Sequence, residues 1–339
     1  MKEENNEVYV LTPPYYKTGG TELCHQLVYI INKLGGDAHI LYKKAKDGNY
    51  LNPSFGEYIN EYVILNNDIY DSFDGIIVIP ENETLEIVKF KKARIFLWWM
   101  SVDNYYRNQN LKLVCEEKGL LRTIKYLFTG FEIKKKYLPL NKMSNIVLHL
   151  AQSEYAIDFL KKNGINNIKY LSDFINESYI QMGEKVKKKE KENIVIYNPK
   201  KGYLFTEKII DKNKDIKFVP LINMSNSDII ELMSKAKLYI DFGSHPGKDR
   251  MPREAAIMMC CVITGKRGAA SFNDVPIPER YKFNDKSSKI KAISNTIQDI
   301  LCNYEDKICD FENYRNIIKS EREKFDSDVK DIFLGKKDE

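Results

Sequence analysis

His245-Pro246-Gly247-Lys248-Asp249-Arg250-Met251-Pro252-Arg253-Glu254-Ala255-Ala256 stands between two apolar runs, Lys237-Leu238-Tyr239-Ile240-Asp241-Phe242 and Cys260-Cys261-Val262-Ile263-Thr264. Runs that are apolar throughout, rather than alternating, belong to strands covered on both faces, so the flanks read as buried parallel strands. The segment from Pro252 to about Cys260 reads as the helix that joins them. Pro252 suits the first turn, where its missing N–H is not needed. Gly247, Lys248 and Arg250 then lie in a strand-to-helix loop, facing free backbone donors and the positive end of a helix dipole. Such a loop attracts anions, phosphate above all. Glu254, in the same turn, is placed to accept hydrogen bonds from sugar hydroxyls, so a diphosphate beside a ribose would satisfy both parts of the loop. A solvated salt-bridge network is the competing reading. The loop's place at the carboxyl end of a parallel strand, where open α/β sheets bind ligands, favours a ligand.

Working outward, the chain alternates strand and helix twice over. The first half offers strands at Val8-Leu11, Ala38-Tyr42, Tyr62-Leu65, Gly75-Ile79 and Ala93-Trp99, with a helix from Thr21 to about Leu34. Ser153 is placed to cap a helix that Gly164 stops. Residues 181–192 are almost devoid of apolar side chains and read as a linker. The second half restarts at Asn193-Tyr197, continues through a strand at Ile216-Leu221 and a helix from Asp228 to Ala236, and closes with helices at 287–301 and 310–333. The expected class is α/β: two Rossmann-like, doubly wound parallel-sheet lobes facing a central cleft. The divisions are 1–180, a linker at 181–192, 193–309, and a terminal helix over 310–339 packing back on the first lobe.

Composition narrows the function. The chain has 339 residues, enough for two domains of about 150 each. At 43% hydrophobic and 12% aromatic it builds real cores. Its net charge of +5 suits an anionic small molecule or a passing membrane contact, and falls short of a nucleic-acid coat. Six cysteines show no CxxC pair and no metal-ligand spacing, which suggests free thiols packed as small hydrophobes. The start has no apolar signal region and no apolar run approaches 18 residues. The expectation is a cytoplasmic protein, at most touching the inner face of a membrane.

Two further loops fall at strand-to-helix junctions. Tyr16-Lys17-Thr18-Gly19-Gly20-Thr21-Glu22 pairs glycines before a helix N-terminus, allowing close backbone approach to a ligand or simply a tight turn. It matches neither GxGxxG nor the P-loop, which removes the main support for dinucleotide or NTPase readings. Asn198-Pro199-Lys200-Lys201-Gly202-Tyr203 follows the first strand of the second half, where lysines act as point charges for phosphate oxygens or stay solvated on a turn.

On these three loops the chain resembles a GT-B-fold glycosyltransferase, its second lobe resembling the large retaining family of glycogen synthase-like and lipopolysaccharide-type enzymes. Gly19-Gly20-Thr21-Glu22 resembles that family's amino-terminal glycine loop, and Asn198-Pro199-Lys200-Lys201-Gly202 its donor-lobe basic loop. The stretch from Ser234 through Glu254-Ala255-Ala256 to Ile263 resembles its donor-site signature. The resemblance implies a donor site formed by Gly19, Gly20, Lys200, Lys201, Gly247, Lys248, Arg250 and Glu254, with Glu254 on the ribose and Lys201 and Arg250 on the diphosphate. The family carries two glutamates eight positions apart. Glu254 matches the second and Pro246 stands at the first, so His245, Lys248 or Asp249 inherits that role or the chemistry differs, and the stereochemistry stays open.

If the reaction inverts, a base for the acceptor hydroxyl should come from the first half. Asp103, among aromatics after a buried strand, is a candidate base or else a helix cap. His149, Trp98 and Trp99 read as core. The only Asp-x-Asp, Asp326-Ser327-Asp328, reads as a solvated helix face, so no metal and no separate cofactor are expected, with fixed positive charge stabilising the leaving diphosphate instead. The function implied is transfer of a sugar from a nucleotide-diphosphate sugar to a glycan or lipid-linked acceptor in bacterial surface-polysaccharide assembly, with catalytic candidates Asp103, His245 and Asp249 and no nucleic-acid partner. The alternatives are a catalytically degenerate GT-B module that binds a nucleotide sugar or glycan, and a sugar-nucleotide epimerase.

Overall fold

A computed structural model describes residues 5–106, 124 and 137–335. It divides into two compact units, 1–173 with 323–339 and 174–322. Each is built on one sheet whose strands all pair in parallel among the described residues.

Unit 1 carries β1 (Val8–Thr12), α1 (Gly19–Lys33), β2 (Ala38–Tyr42), β3 (Tyr62–Ile64), α2 (Asn67–Ser72), β4 (Ile76–Pro80) and β5 (Arg94–Trp99). After these come α3 (Val102–Tyr106), β6 (Ile146–Ala151), α4 (Glu154–Lys162) and β7 (Ile168–Tyr170). The sheet order is β3-β2-β1-β4-β5-β6-β7, so the winding reverses between β1 and β4. All five residues of β4 are buried, as the continuous apolar run requires. Trp98 and Trp99 are fully enclosed, and their ring N–H groups donate to Leu171 O at 3.1 Å and His149 Nδ1 at 2.9 Å. His149 is a core acceptor, and burial pushes its pKa down to about 4. Ser153 caps α4 through Ala156 N–H, and Gly164 follows at φ +78°. The chain end belongs to this unit: Phe333 lies against Phe96, ring centroids 5.9 Å apart, and Lys169 Nζ donates to Asp331 O.

Unit 2 carries α5 (Glu177–Lys185), β8 (Glu192–Tyr197), α6 (Tyr203–Lys212), β9 (Lys217–Pro220), α7 (Asn226–Lys235) and β10 (Ala236–Asp241). It continues with α8 (Arg250–Ile257), β11 (Cys261–Gly265), β12 (Lys282–Phe283), α9 (Ile290–Cys302) and α10 (Tyr304–Lys307), and it holds the first part of α11 (Glu312–Val329). The order is β12-β11-β10-β8-β9, with the reversal between β8 and β10.

The linker expected over 181–192 is corrected here. Chain division falls between Asp173 and Phe174, and α5 is part of unit 2. Tyr179 is buried and donates to Asn226 Oδ1 at 2.8 Å, while Ile180 and Val186 pack against the core. Lys191, the end of the charged run, is itself buried. Its ammonium donates to Met233 O, Ala236 O and Met258 O at 2.7, 2.8 and 2.6 Å. Those carbonyls end α7 and α8, where a cation is favoured.

Candidate functional site

In unit 2 the loops after β8 and β10 meet at the point where strand order reverses, the place at which open α/β sheets hold ligands. Gly202 makes the meeting possible. It sits at φ +60°, and a Cβ there would lie 2.2 Å from Phe242 O, so the two loops touch backbone to backbone. On the other side of the β10 loop, Gly268 is equally enclosed: its Cβ would fall 2.0 Å from His245 O, which accepts Ala269 N–H at 2.8 Å.

Charges of alternating sign line this junction. Lys201 Nζ lies 2.6 Å from Asp249 Oδ2, and His245 Nδ1 lies 3.2 Å from the same oxygen. His245 Nε2 faces Asp241 Oδ1 at 3.7 Å. Both imidazole contacts are ion-pair approaches, and neither is an aligned hydrogen bond. Asp241 is held from behind by Tyr239 O–H at 2.7 Å and by Gly243 N–H at 2.9 Å. Burial acts to lower the His245 pKa, but the carboxylates of Asp241 and Asp249 outweigh it and the net shift is upward. For Asp249 burial acts upward, and His245 with Lys201 outweighs it to bring the pKa down to about 2.

This arrangement corrects the part expected of His245. Its side chain is wholly enclosed and faces two carboxylates rather than open solvent. Asp241, His245 and Asp249 bring metal-ligand atoms within 4.8 Å of one another. A metal there would have to compete with the Lys201 ammonium that already pairs with Asp249.

A second set of contacts fixes the loop from its other end. Arg253 is 0% exposed; it donates to Lys248 O at 3.0 Å and Asp249 O at 3.3 Å, and meets Glu321 Oε2 at 2.8 Å. Lys248, a donor-site candidate from the sequence, turns to Glu321 Oε1 at 2.8 Å with its side chain 9% exposed. Arg250 opens α8, which starts two residues earlier than Pro252, and Asp249 precedes it without capping it through its side chain. Arg250 and Glu254 both lie close enough to Tyr179 to bear on its phenol, whose pKa burial raises, Glu254 raises further and Arg250 lowers. Lys200 is exposed, and its N–H closes a turn on Asn198 Oδ1 at 3.0 Å. Gly247 is buried in the loop.

Thus Lys201, Asp249, Arg250 and Glu254 gather where the sequence placed them, at the carboxyl edge of β8 and β10. Reading the sequence missed Asp241, Arg253 and Glu321. Arg253 adjoins Glu254 in the quoted stretch, but its partner is 68 residues away, and nothing local announces the pair.

In unit 1, Gly19 and Gly20 are the first residues of α1, capped by Thr18 in a reciprocal arrangement with Thr21. Neither needs positive φ. A Cβ at Gly19 meets nothing within 4 Å, and one at Gly20 would touch Met100 at 3.7 Å. Asp103 lies in the first turn of α3 and accepts Tyr155 O–H at 2.7 Å. Glu81, at the end of β4 beside the unit's own reversal point, is a buried carboxyl unread in the sequence. It accepts Met100 N–H at 3.1 Å, and burial raises its pKa to about 7.

No protein-family model matches the sequence, and no curated protein matches it. Solved structures do. Sucrose-phosphate synthase from Thermosynechococcus elongatus is 11% identical with a TM-score of 0.62, covering 97% of this chain and 98% of that one. Anabaena HepE, solved in complex with UDP-glucose, is 13% identical with a TM-score of 0.56 over 96% and 98%. The chain has the GT-B glycosyltransferase fold. An α-glucosyltransferase solved with UDP and a 13-mer DNA is also similar, 10% identical with a TM-score of 0.51 over 95% and 99%. The fold therefore gives no support to the expectation that nucleic acid is excluded.

Proposed function

We propose that the chain is a glycosyltransferase that moves a sugar from a nucleotide-diphosphate donor to a glycan or lipid-linked acceptor, with no metal and no further cofactor. The observation that carries this reading is the junction of the β8 and β10 loops. It puts Lys201, Arg250 and the amino end of the eight-residue α8 at one sheet edge, with Glu254 one turn into the helix. Backbone donors and Arg250 take the diphosphate oxygens, and Glu254 takes the ribose hydroxyls.

In this mechanism the acceptor hydroxyl oxygen bonds to the anomeric carbon as the bond from that carbon to the phosphate oxygen breaks. The electron pair goes to the diphosphate, and the hydroxyl proton to the departing diphosphate or to solvent. Charge already fixed in place then stabilises the leaving group. Lys201 is held by Asp249, and Asp249 by His245, so the ammonium is oriented before the ligand arrives. His245 is a positioning residue on this account. Arg253 sets the loop backbone at Lys248 and Asp249, and Glu321 holds Arg253.

Pro246 stands where the resembling family carries its first glutamate, which favours one second reading: a module that binds a nucleotide sugar and does not turn it over. Melting-shift screening against UDP-, GDP-, CMP- and dTDP-sugars finds the donor, and release of nucleotide with and without glycan acceptors then decides. Turnover supports the transferase, and tight binding without nucleotide release supports the module. Assembly of surface polysaccharide at the inner face of a membrane is the setting that this chemistry fits.

A further inference from the structure

Unit 2 has a second concavity, of about 390 Å³, at the opposite edge of its sheet. Lys191 precedes β8 and Lys237 is the second residue of β10, so it lies at the amino ends of the strands whose carboxyl ends hold the candidate site. Six residues of strand put the two places about 20 Å apart. Lys188, Lys189, Lys191 and Lys237 all line it, with Tyr304, the first residue of α10.

The unusual feature is the charge balance. Elsewhere in this unit Lys201, Lys248 and Arg253 are each matched to a carboxylate, while the half-buried Arg315 donates to Ile308 O. Here none of the four lysines makes an ion pair with a carboxylate among the described residues, although Glu305 and Asp306 line the same hollow. Lys191 is held by three carbonyls, and Lys237 by Asn193 Oδ1 at 2.6 Å and Leu301 O at 2.9 Å, with the Tyr304 ring 5.7 Å away. Neutral acceptors hold both ammonium groups in place, although burial lowers the pKa of Lys191. Lys188 and Lys189 complete the set from the exposed segment before β8. A polar hollow of ligand size lined by four lysines against two carboxylates, with none of these lysines bound to either, keeps a net positive charge that suits an anion.

We propose that this hollow is a phosphate-binding site, taking a phosphorylated small molecule or the phosphate of a lipid headgroup, with Lys188 and Lys189 closing on the anion over the fixed charges of Lys191 and Lys237. Lysine suits a phosphate as a mobile point charge. The site is separate from the junction of the β8 and β10 loops and stands whether or not the chain transfers a sugar.

The test uses the full chain carrying Arg250→Ala, which weakens the other anion site. Pyrophosphate is titrated into it by calorimetry, and vesicles of phosphatidylcholine with and without phosphatidylglycerol are sedimented with it. K188E/K189E is compared with K208E/K212E, which makes the same charge change on exposed positions of α6. The expected result is a loss of at least about tenfold in pyrophosphate affinity, or of phosphatidylglycerol-dependent sedimentation, from the first pair and less than about twofold from the second. Loss in the pyrophosphate arm alone identifies a soluble phosphate, and loss in the vesicle arm alone identifies a headgroup. Absence of binding in both arms, or equal effects of the two pairs, overturns the proposal.

Discussion

Replacing Gly202 by alanine tests whether the two site loops depend on backbone contact. Two costs add. An L-residue at φ +60° loses about 1–2 kcal/mol against the right-handed region. The new Cβ, 2.2 Å from Phe242 O, also requires the loops to part by about 0.8 Å before the contact becomes tolerable, an overpacking strain of about 1–3 kcal/mol. Together they give about 2–5 kcal/mol, a large share of the stability of an ordinary domain. The parting also stretches the 2.6 Å Lys201–Asp249 pair, so affinity for a nucleoside diphosphate falls along with stability. Both tryptophans of the chain lie in unit 1, so their fluorescence follows that unit and serves as the internal control. Unfolding of unit 2 is best followed by hydrogen exchange of peptides covering β8 and β10. The urea midpoint read from those peptides should drop by about 1–2 M, with the tryptophan transition in place. Gly19→Ala, whose Cβ meets nothing, is the matched control and should be neutral or slightly stabilising. If Gly202→Ala exchanges, unfolds and binds UDP like the parent, the loops do not rest on one another as described.

Arg250→Ala and Lys201→Ala should each weaken nucleoside-diphosphate binding by about 1.5–3 kcal/mol, read by titration calorimetry. Donor binding and turnover should survive excess EDTA; complete loss restored by Mn²⁺ or Mg²⁺ would instead put a metal on Asp241, His245 and Asp249. His245 has a folded pKa raised above its unfolded value near 6.5, so its contribution to stability is full below that pH and disappears as pH rises through the folded pKa. Urea midpoints of unit 2 between pH 5 and 9 should therefore slope downward in the parent and flatten in His245→Gln. Glu81 behaves in the same direction for another reason: its neutral form is the one the fold favours, so unit 1 loses about 3 kcal/mol as pH rises from about 4.5 to about 7. Glu81→Gln should abolish that fall in the tryptophan-detected midpoint.

The strands were legible because burial on both faces leaves a nearly unbroken apolar run; β4 needed nothing else. Segment 177–185 was not, because Glu-Ser-Tyr-Ile-Gln-Met-Gly-Glu-Lys buries little beyond Tyr179 and shows no full apolar stripe. Lys191 looked solvated since charge in a sequence does not reveal which carbonyls surround it. At the candidate site, the residues that touch a ligand loop were readable from loop position and charge. Those that hold the loop were hidden. Asp241 reads as part of an apolar strand, and the Arg253–Glu321 pair is a relation between distant residues that one sequence does not display. Gly19 and Gly20, read as glycines for close approach or a tight turn, open α1 without positive φ.

Lys191 and Arg253 together leave α8 with few ways to move. At one end of the helix the Lys191 ammonium ties Met258 O to the carbonyls that finish α7, and at the other Arg253 ties the turn at Lys248 and Asp249 to Glu321. A short rod pinned at both ends neither slides along its axis nor tips without breaking buried charge-assisted bonds. Any adjustment to an incoming anion therefore falls on side chains and on the five residues from Gly243 to Gly247, so the amino end of α8 works as a fixed stop against which a ligand is located.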